Sequence, residues 1–295
     1  MALTLTDLVL AAYNLFLAVV ILVRGPCTDG RGWLLLAVLL FAVLLALFRR
    51  LTASSRLGNL VHTFYPLVLF GGLYTALGIL NEGLDPGRIP ANDALVQGWE
   101  RTVFGGQPSY DLIRRYPSVF LSGVLHLAYF SYYPTIIVPP PILAARGDWD
   151  GARRVIGASI TAYILCFVVF TLFPVAGPNW VFDHPTGPVR EVWSARLVYG
   201  LLEGGSSVGT AFPSSHVAAT FATVIAAWRA WPPLGRVTVV PFLLLTIAVV
   251  YCQMHYAVDA LAGLAFGAVA GIGAQRLWWR TDGRIGKQGN RDGAS

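Results

Sequence analysis

Eight predominantly apolar stretches dominate this sequence, at residues 7–23, 33–48, 59–80, 119–142, 155–175, 213–230, 236–252 and 255–278. Each approaches the roughly 20 residues that an α-helix needs to cross the hydrocarbon core of a bilayer. Within a bilayer every backbone N–H and C=O must be satisfied inside the protein, which favours helices for stretches of this length. The expected fold is therefore all-α, a polytopic transmembrane helical bundle of about eight spans. Composition agrees: hydrophobic residues make up 56% of the chain and charged residues 12%, against about 25% charged in soluble domains. The first stretch has no Lys or Arg ahead of it and contains Asp7, so it reads as a retained helix rather than a cleaved signal peptide.

The cations suggest an orientation. Arg49, Arg50 and Arg56 lie between the second and third spans, and Arg146, Arg153 and Arg154 between the fourth and fifth. Arg229 and Arg236 flank the turn after the sixth, and Arg276, Arg280, Arg284, Lys287 and Arg291 follow the eighth. Placing these clusters in the cytoplasm puts both termini there, in line with the positive-inside tendency; Arg24 and Arg31 run against it. Two long loops, 81–118 and 176–212, then face outward, and their length marks them as functional candidates. The net charge of +6 is spread over short loops and the C-terminal tail, with no basic face or motif that would favour nucleic acid. Cys27, Cys166 and Cys252 show no metal-binding spacing. Trp99, Trp180, Trp193, Trp278 and Trp279 read as interface-belt residues, and His62 and His126 as hydrogen-bonded core histidines without a chemical partner.

The segment Gly209-Thr210-Ala211-Phe212-Pro213-Ser214-Ser215-His216 runs into an apolar helix. Its small residues let a ligand approach the backbone. Pro213 suits the first helical turn, where free N–H groups and the helix dipole attract anions. Ser214 and Ser215 add hydroxyls, or act simply as caps. Downstream, His255 and Asp259 are four apart and on a helix would share a face, so the carboxylate can hold the imidazole in one tautomer. The intervening chain contains one helical hairpin with its turn near Trp231-Pro232-Pro233-Leu234-Gly235. Each arm travels about 25 Å, which returns His216 and His255 to one membrane level. Ionisable groups at membrane depth usually mark function.

These residues carry a resemblance. Pro213-Ser214-Ser215-His216 followed by His255-x-x-x-Asp259 and Gly263 is similar to the second and third motifs of the type 2 phosphatidic acid phosphatase superfamily. In look it is nearest to the branch of inositol phosphorylceramide and sphingomyelin synthases. The resemblance covers roughly residues 205–263 and extends weakly upstream through Pro174-Val175-Ala176-Gly177-Pro178. It implies a six-helix phosphatase-type core, with His255 as nucleophile, Asp259 as its orienting carboxylate and His216 as general acid. Ser214, Ser215, Gly209 and Thr210 would hold phosphate oxygens, and neither metal nor cofactor is implied. On this basis residues 1–58 form an N-terminal pair of transmembrane helices, 59–280 the catalytic transmembrane core, and 281–295 a disordered cytoplasmic tail.

The chain departs from the phosphatase branch in its cations. It has no Lys before Lys287, Gly177-Pro178-Asn179-Trp180 at the nearest first-motif match, and Val249 where an Arg would precede the third-motif histidine. A phosphomonoester carries about −1.5 to −2 charges near neutrality, so a weaker cationic cradle suits a diester better. Arg190 and Arg196, then Arg114 and Arg115, are the replacement candidates. The expectation is an integral membrane lipid phosphotransferase that moves a phospho-headgroup from a membrane phospholipid or sphingolipid to an alcohol or lipid acceptor, at the extracytoplasmic face. A lipid phosphate phosphatase using water, and a non-catalytic lipid transporter with an intramembrane proton relay, are the alternatives.

Overall fold

The computed structural model describes residues 4–24, 56–82, 84–205 and 207–292, with isolated positions between 32 and 40. The second expected span, 33–48, and Ser206 lie outside the described residues. The described residues are helical, with a single parallel bridge between Val175 and Thr210. Helices α1 (Leu5–Val23) and α2 (Arg56–Glu82) come first. The loop 81–118, expected to face outward, contains α3 (Arg88–Phe104) and α4 (Pro108–Arg115). The next span is broken into α5 (Val119–Phe130), α6 (Tyr132–Ile137) and α7 (Pro139–Ala145), and α8 (Trp149–Leu172) follows. The loop 176–212 carries α9 (Pro178–Val181), α10 (Pro188–Glu191) and α11 (Trp193–Gly205). Last come α12 (Ser215–Ala230), α13 (Pro232–Tyr251) and α14 (Ala257–Asp292).

Six helical stretches among the described residues are long and apolar enough to cross a membrane: Leu5–Val23, Leu57–Asn81, Val119–Ala145, Trp149–Leu172, Pro232–Tyr251 and Ala257–Leu277. The chain is a multi-pass membrane protein. Lipid-facing positions such as Leu15, Val68, Val237, Ile247 and Val269 are exposed and apolar. The expected sixth span is instead the 16-residue α12, too short by itself and largely buried among its neighbours. The breaks in α5–α7 follow from Pro134 and Pro139-Pro140-Pro141, which cannot donate the helical N–H and crowd the preceding turn. Backbone 281–292, expected to be disordered from its polarity, continues α14 as helix; extending a formed helix needs no new nucleus.

The core is organised around α12, which packs against α8, α13 and α14. Its contact with α14 is backbone on backbone. An added Cβ at Gly263 would lie 2.6 Å from the Ser214 carbonyl, one at Gly267 2.5 Å from that of Ala218, and one at Gly271 3.1 Å from Ala222 Cα. These glycines recur every four residues and meet a matching row on α12, the small-residue packing by which helices associate without a hydrophobic drive between them. Leu10, Tyr13, Leu17 and Ile21 of α1 join the same buried core, so α1 packs as part of the bundle.

Several ionisable groups find unexpected uses. Arg24, the exception to the positive-inside pattern, donates to the carbonyls of Leu80 and Thr171 at the ends of α2 and α8. Arg88 does the same to Leu172 at 2.7 Å. Cations there satisfy orphan C-terminal carbonyls and the helix dipoles. His62, expected to be a hydrogen-bonded core histidine without a chemical partner, has Nε2 3.4 Å from Asp7 Oδ2, and Tyr65 donates to the other carboxylate oxygen. The pairing joins α1 to α2 across a sequence gap that neither segment reveals alone.

Candidate active site

The α12–α13 hairpin does what its length predicts. His216 is the second residue of α12, and His255 lies in the turn that follows α13. Their rings are 5.5 Å apart, and His255 Nε2 stands 3.3 Å from His216 Nδ1. His255 Nδ1 lies 2.9 Å from the carbonyl oxygen of Ala211 and 3.5 Å from Asp259 Oδ2. A carbonyl only accepts, so Nδ1 bears the proton, and the lone pair of neutral His255 is on Nε2. His216 Nδ1 is then the donor toward His255. Its Nε2, 3.3 Å from the Tyr129 hydroxyl, accepts in turn. The result is one directional chain, Tyr129 to His216 to His255 to Ala211, with Asp259 beside its far end.

Two local expectations are corrected. His255 and Asp259 do not share a helix. His255 precedes α14, Tyr256 occupies the cap position, and Asp259 reaches back to accept from the Tyr256 N–H at 2.8 Å. This is half of a capping box, and it brings the carboxylate to the histidine by a turn rather than by helical spacing. Pro213 precedes the N-cap of α12 and does not enter its first turn. The cap is Ser214, whose Oγ accepts from Val217 N. Its own N–H donates to the Asp259 carbonyl at 2.9 Å, tying the two histidine-bearing segments together.

Two cavities meet at His216. The smaller, about 50 Å³, is bordered by His216, His255, Asn179, Thr210, Ala211 and Met254 among others. No Arg or Lys borders it. The larger, about 530 Å³, is bordered by Leu67, Phe70, Tyr74, Tyr132, Ile136 and Leu201, and by Ser215 and His216. Tyr129 and Leu202 border both. Volumes of 300–1,000 Å³ with apolar walls and few polar groups are typical of ligand sites.

The expected site residues are therefore distributed as follows. His216, His255, Asp259 and Thr210 converge, and Ser215 faces the larger cavity. Thr210 donates to the Ser207 carbonyl at 2.7 Å. Gly209, at φ +92°, abuts Asn81 and Pro174 so closely that a Cβ would fall 2.5 Å from Asn81 Nδ2. Arg190 and Arg196 border neither cavity. Arg190 lies over the Tyr199 ring at 4.6 Å, and Arg196 is exposed on α11. Arg114 stacks on Tyr110 and donates to Gln253 Oε1 at 2.7 Å, two residues before His255. Sequence reasoning missed Tyr129, which sits in an apolar run and reads as core. It also missed Asn179 Oδ1, which is buried and has no hydrogen-bond partner.

A helical bundle holding a His–His–Asp cluster at one end of its spans, beside a small cavity and a larger apolar one, defines a membrane-embedded histidine-centred site. Residues 101–273, more than half of the chain, match the PAP2 superfamily, and the chain belongs to it. A PA-phosphatase related-family protein of Dictyostelium discoideum is 28% identical over 123 residues, covering 39% of this chain and 22% of that protein. The chain thus spans about a fifth of that relative's length. No solved structure gives a significant match.

Proposed function

We propose that this protein is an integral membrane lipid phosphotransferase, which moves a phospho-headgroup from a phospholipid to an alcohol acceptor through a phosphohistidine. The superfamily comprises phosphatases and phosphotransferases acting on phosphate esters. The observation that carries the reading is the directional pair beside the small cavity: His255 Nε2 bears the lone pair, and His216 Nδ1 donates to it from 3.3 Å.

In the first step His255 Nε2 attacks phosphorus. A P–N bond forms and the P–O bond to the donor lipid breaks, while His216, protonated on both ring nitrogens once the anionic phosphate is bound, gives one proton to the departing oxygen and becomes neutral. In the second, the acceptor hydroxyl gives its proton to His216 as its oxygen bonds to phosphorus and the P–N bond breaks. Asp259 stabilises the charge on His255. Substrate entry separates the two rings, since apo hydrogen bonds in catalytic sites rearrange in the loaded complex.

The apolar cavity reaching His216 supports a lipid as donor or acceptor. The lack of Arg or Lys around the small cavity supports a singly charged diester over a monoester. The distribution of arginines supports an extracytoplasmic site. Turnover of phosphatidylinositol, phosphatidylethanolamine and phosphatidic acid in proteoliposomes, with and without a long-chain alcohol, tests the reading. Acceptor-dependent loss of a diester supports it. Release of inorganic phosphate from phosphatidic acid alone makes the protein a phosphatase. No turnover of either moves lipid transport to the front.

A further inference from the structure

Helix α3 lies outside the spans and brings two carboxylates onto the loops that carry the site. Asp93, Val96 and Glu100 fall on one face and are buried at 2%, 0% and 0% exposure. Asp93 accepts from the N–H of Ala176 at 2.8 Å, from that of Gly177 at 2.9 Å and from the Tyr256 hydroxyl at 3.0 Å. Glu100 accepts from Ala257 N at 3.0 Å, from Ser109 N at 3.3 Å and from Ser109 Oγ at 3.2 Å. On the flank of the same helix, Trp99 packs on Phe173 and Phe212.

Four of these six donors, on Ala176, Gly177, Tyr256 and Ala257, belong to the two segments that frame His255; the other two are on Ser109 of α4. Ala176 borders the small cavity. Gly177 is wedged so tightly that a Cβ would fall 2.7 Å from Ala211 Cβ, and Ala211 supplies the carbonyl that fixes the His255 tautomer. Tyr256 and Ala257 directly follow His255. A buried carboxylate is costly unless several donors meet it, and each of these meets three. Burial raises both carboxyl groups above their usual range while the donors pull them back, and Asp111 adds to the rise at Glu100.

We propose that Asp93 and Glu100 are positioning residues: α3 is a strap whose two carboxylates hold the 174–178 and 254–259 backbones so that His255 faces the small cavity. Neither touches the reacting atoms, and the inference rests on the proposed phosphotransfer at His255. A displacement of about 1 Å at a reacting group can lower turnover about a hundredfold.

The test uses the full chain in vesicles of phosphatidylinositol and phosphatidic acid with a long-chain alcohol. It compares wild type, His255→Ala, Asp93→Asn, Glu100→Gln, Glu100→Ala and Tyr256→Phe. The strap requires kcat to fall about 10- to 100-fold in Asp93→Asn and Glu100→Ala, with KM little changed. Glu100→Gln, whose single oxygen can still serve both backbone N–H groups while its NH2 turns to the Ser109 hydroxyl, falls less; both oxygens of Asp93 meet backbone N–H groups, so Asp93→Asn has no such escape. Tyr256→Phe removes a single donor and serves if the carboxylate variants do not fold. Folded variants with the turnover of wild type overturn the strap and leave the phosphotransfer reading intact. An inert wild type overturns that reading instead. Deuterium exchange at the Ala176, Gly177 and Ala257 amides then still judges the strap: unchanged protection in the variants sinks it.

Discussion

His255 Nε2 and His216 Nδ1 stand 3.3 Å apart although one lies in the turn before α14 and the other in the first turn of α12, and the Ala211 carbonyl decides which of them bears the proton. Roles follow from this one contact. His255→Ala is expected to reduce turnover to background and to abolish any acid-labile phosphoenzyme trapped from ³²P-labelled donor. His216→Gln, which can still donate a hydrogen bond but cannot transfer a proton, should lower kcat about 10²–10⁴-fold while leaving the nucleophile in place. A His216 variant with normal turnover rejects the assignment.

Tyr129 completes the chain from the other side. A hydrogen bond is worth about 0.5–1.5 kcal/mol net, so Tyr129→Phe should lower kcat about 2- to 10-fold while the fold is retained. Steady-state kinetics in proteoliposomes check it, and an unchanged kcat shows that His216 needs no such partner.

The seam between α12 and α14 should resist enlargement. Gly267→Val places a Cβ 2.5 Å or closer to the Ala218 carbonyl, so it is expected to cost about 1–3 kcal/mol or more, as overpacking does. Thermal unfolding in detergent measures it. The same substitution at Gly273, where a Cβ meets nothing within 4 Å, is the matched control.

Asp7 offers a contrast, because its partners His62 and Tyr65 lie toward the opposite ends of α1 and α2 from the histidine pair. Asp7→Ala should lower stability by about 1–3 kcal/mol through buried groups left unpaired, with kcat per folded molecule unchanged. A selective loss of kcat would mean that this cluster communicates with the site.

Acid affects α3 in two opposed ways. Burial lifts the native Asp93 and Glu100 carboxyls above the ordinary range. Between the ordinary value and the raised one, the folded chain binds more protons than the unfolded chain, so these groups make stability fall as pH rises through that window. Activity should move the other way, falling on acidification as protonation removes acceptors from the loops. Asp93→Asn and Glu100→Gln together should flatten both slopes, read by unfolding midpoints and by kcat across that window.

Much of the bundle is legible in the sequence, because length and apolarity alone decide what can cross a bilayer. The convergence of His216 and His255 is legible for a related reason: a hairpin of two matched helices must return to its starting depth. The route by which Asp259 reaches His255 is not, since a spacing of four fits both a helical face and a turn capped from its third residue. Asp93 and Glu100 escape notice because their partners are backbone groups at Ala176, Gly177 and Ala257, which carry no side-chain signature. Arg190 and Arg196 drew attention by proximity in sequence, but the fold turns one onto Tyr199 and leaves the other exposed. Arg24 looks like a violation of charge bias until the ends of α2 and α8 are seen around it.

The glycine seam also bears on how the protein meets membranes of different thickness. Helices accommodate a mismatched bilayer by tilting. With α12 and α14 joined backbone to backbone at Gly263, Gly267 and Gly271, and Ser214 tied to Asp259 at their shared end, the pair tilts as one plate. The separation of the two histidines should thereby be insulated from the lipid around them, and chain-length changes in the host bilayer are expected to act on access to the cavities rather than on the chemistry inside.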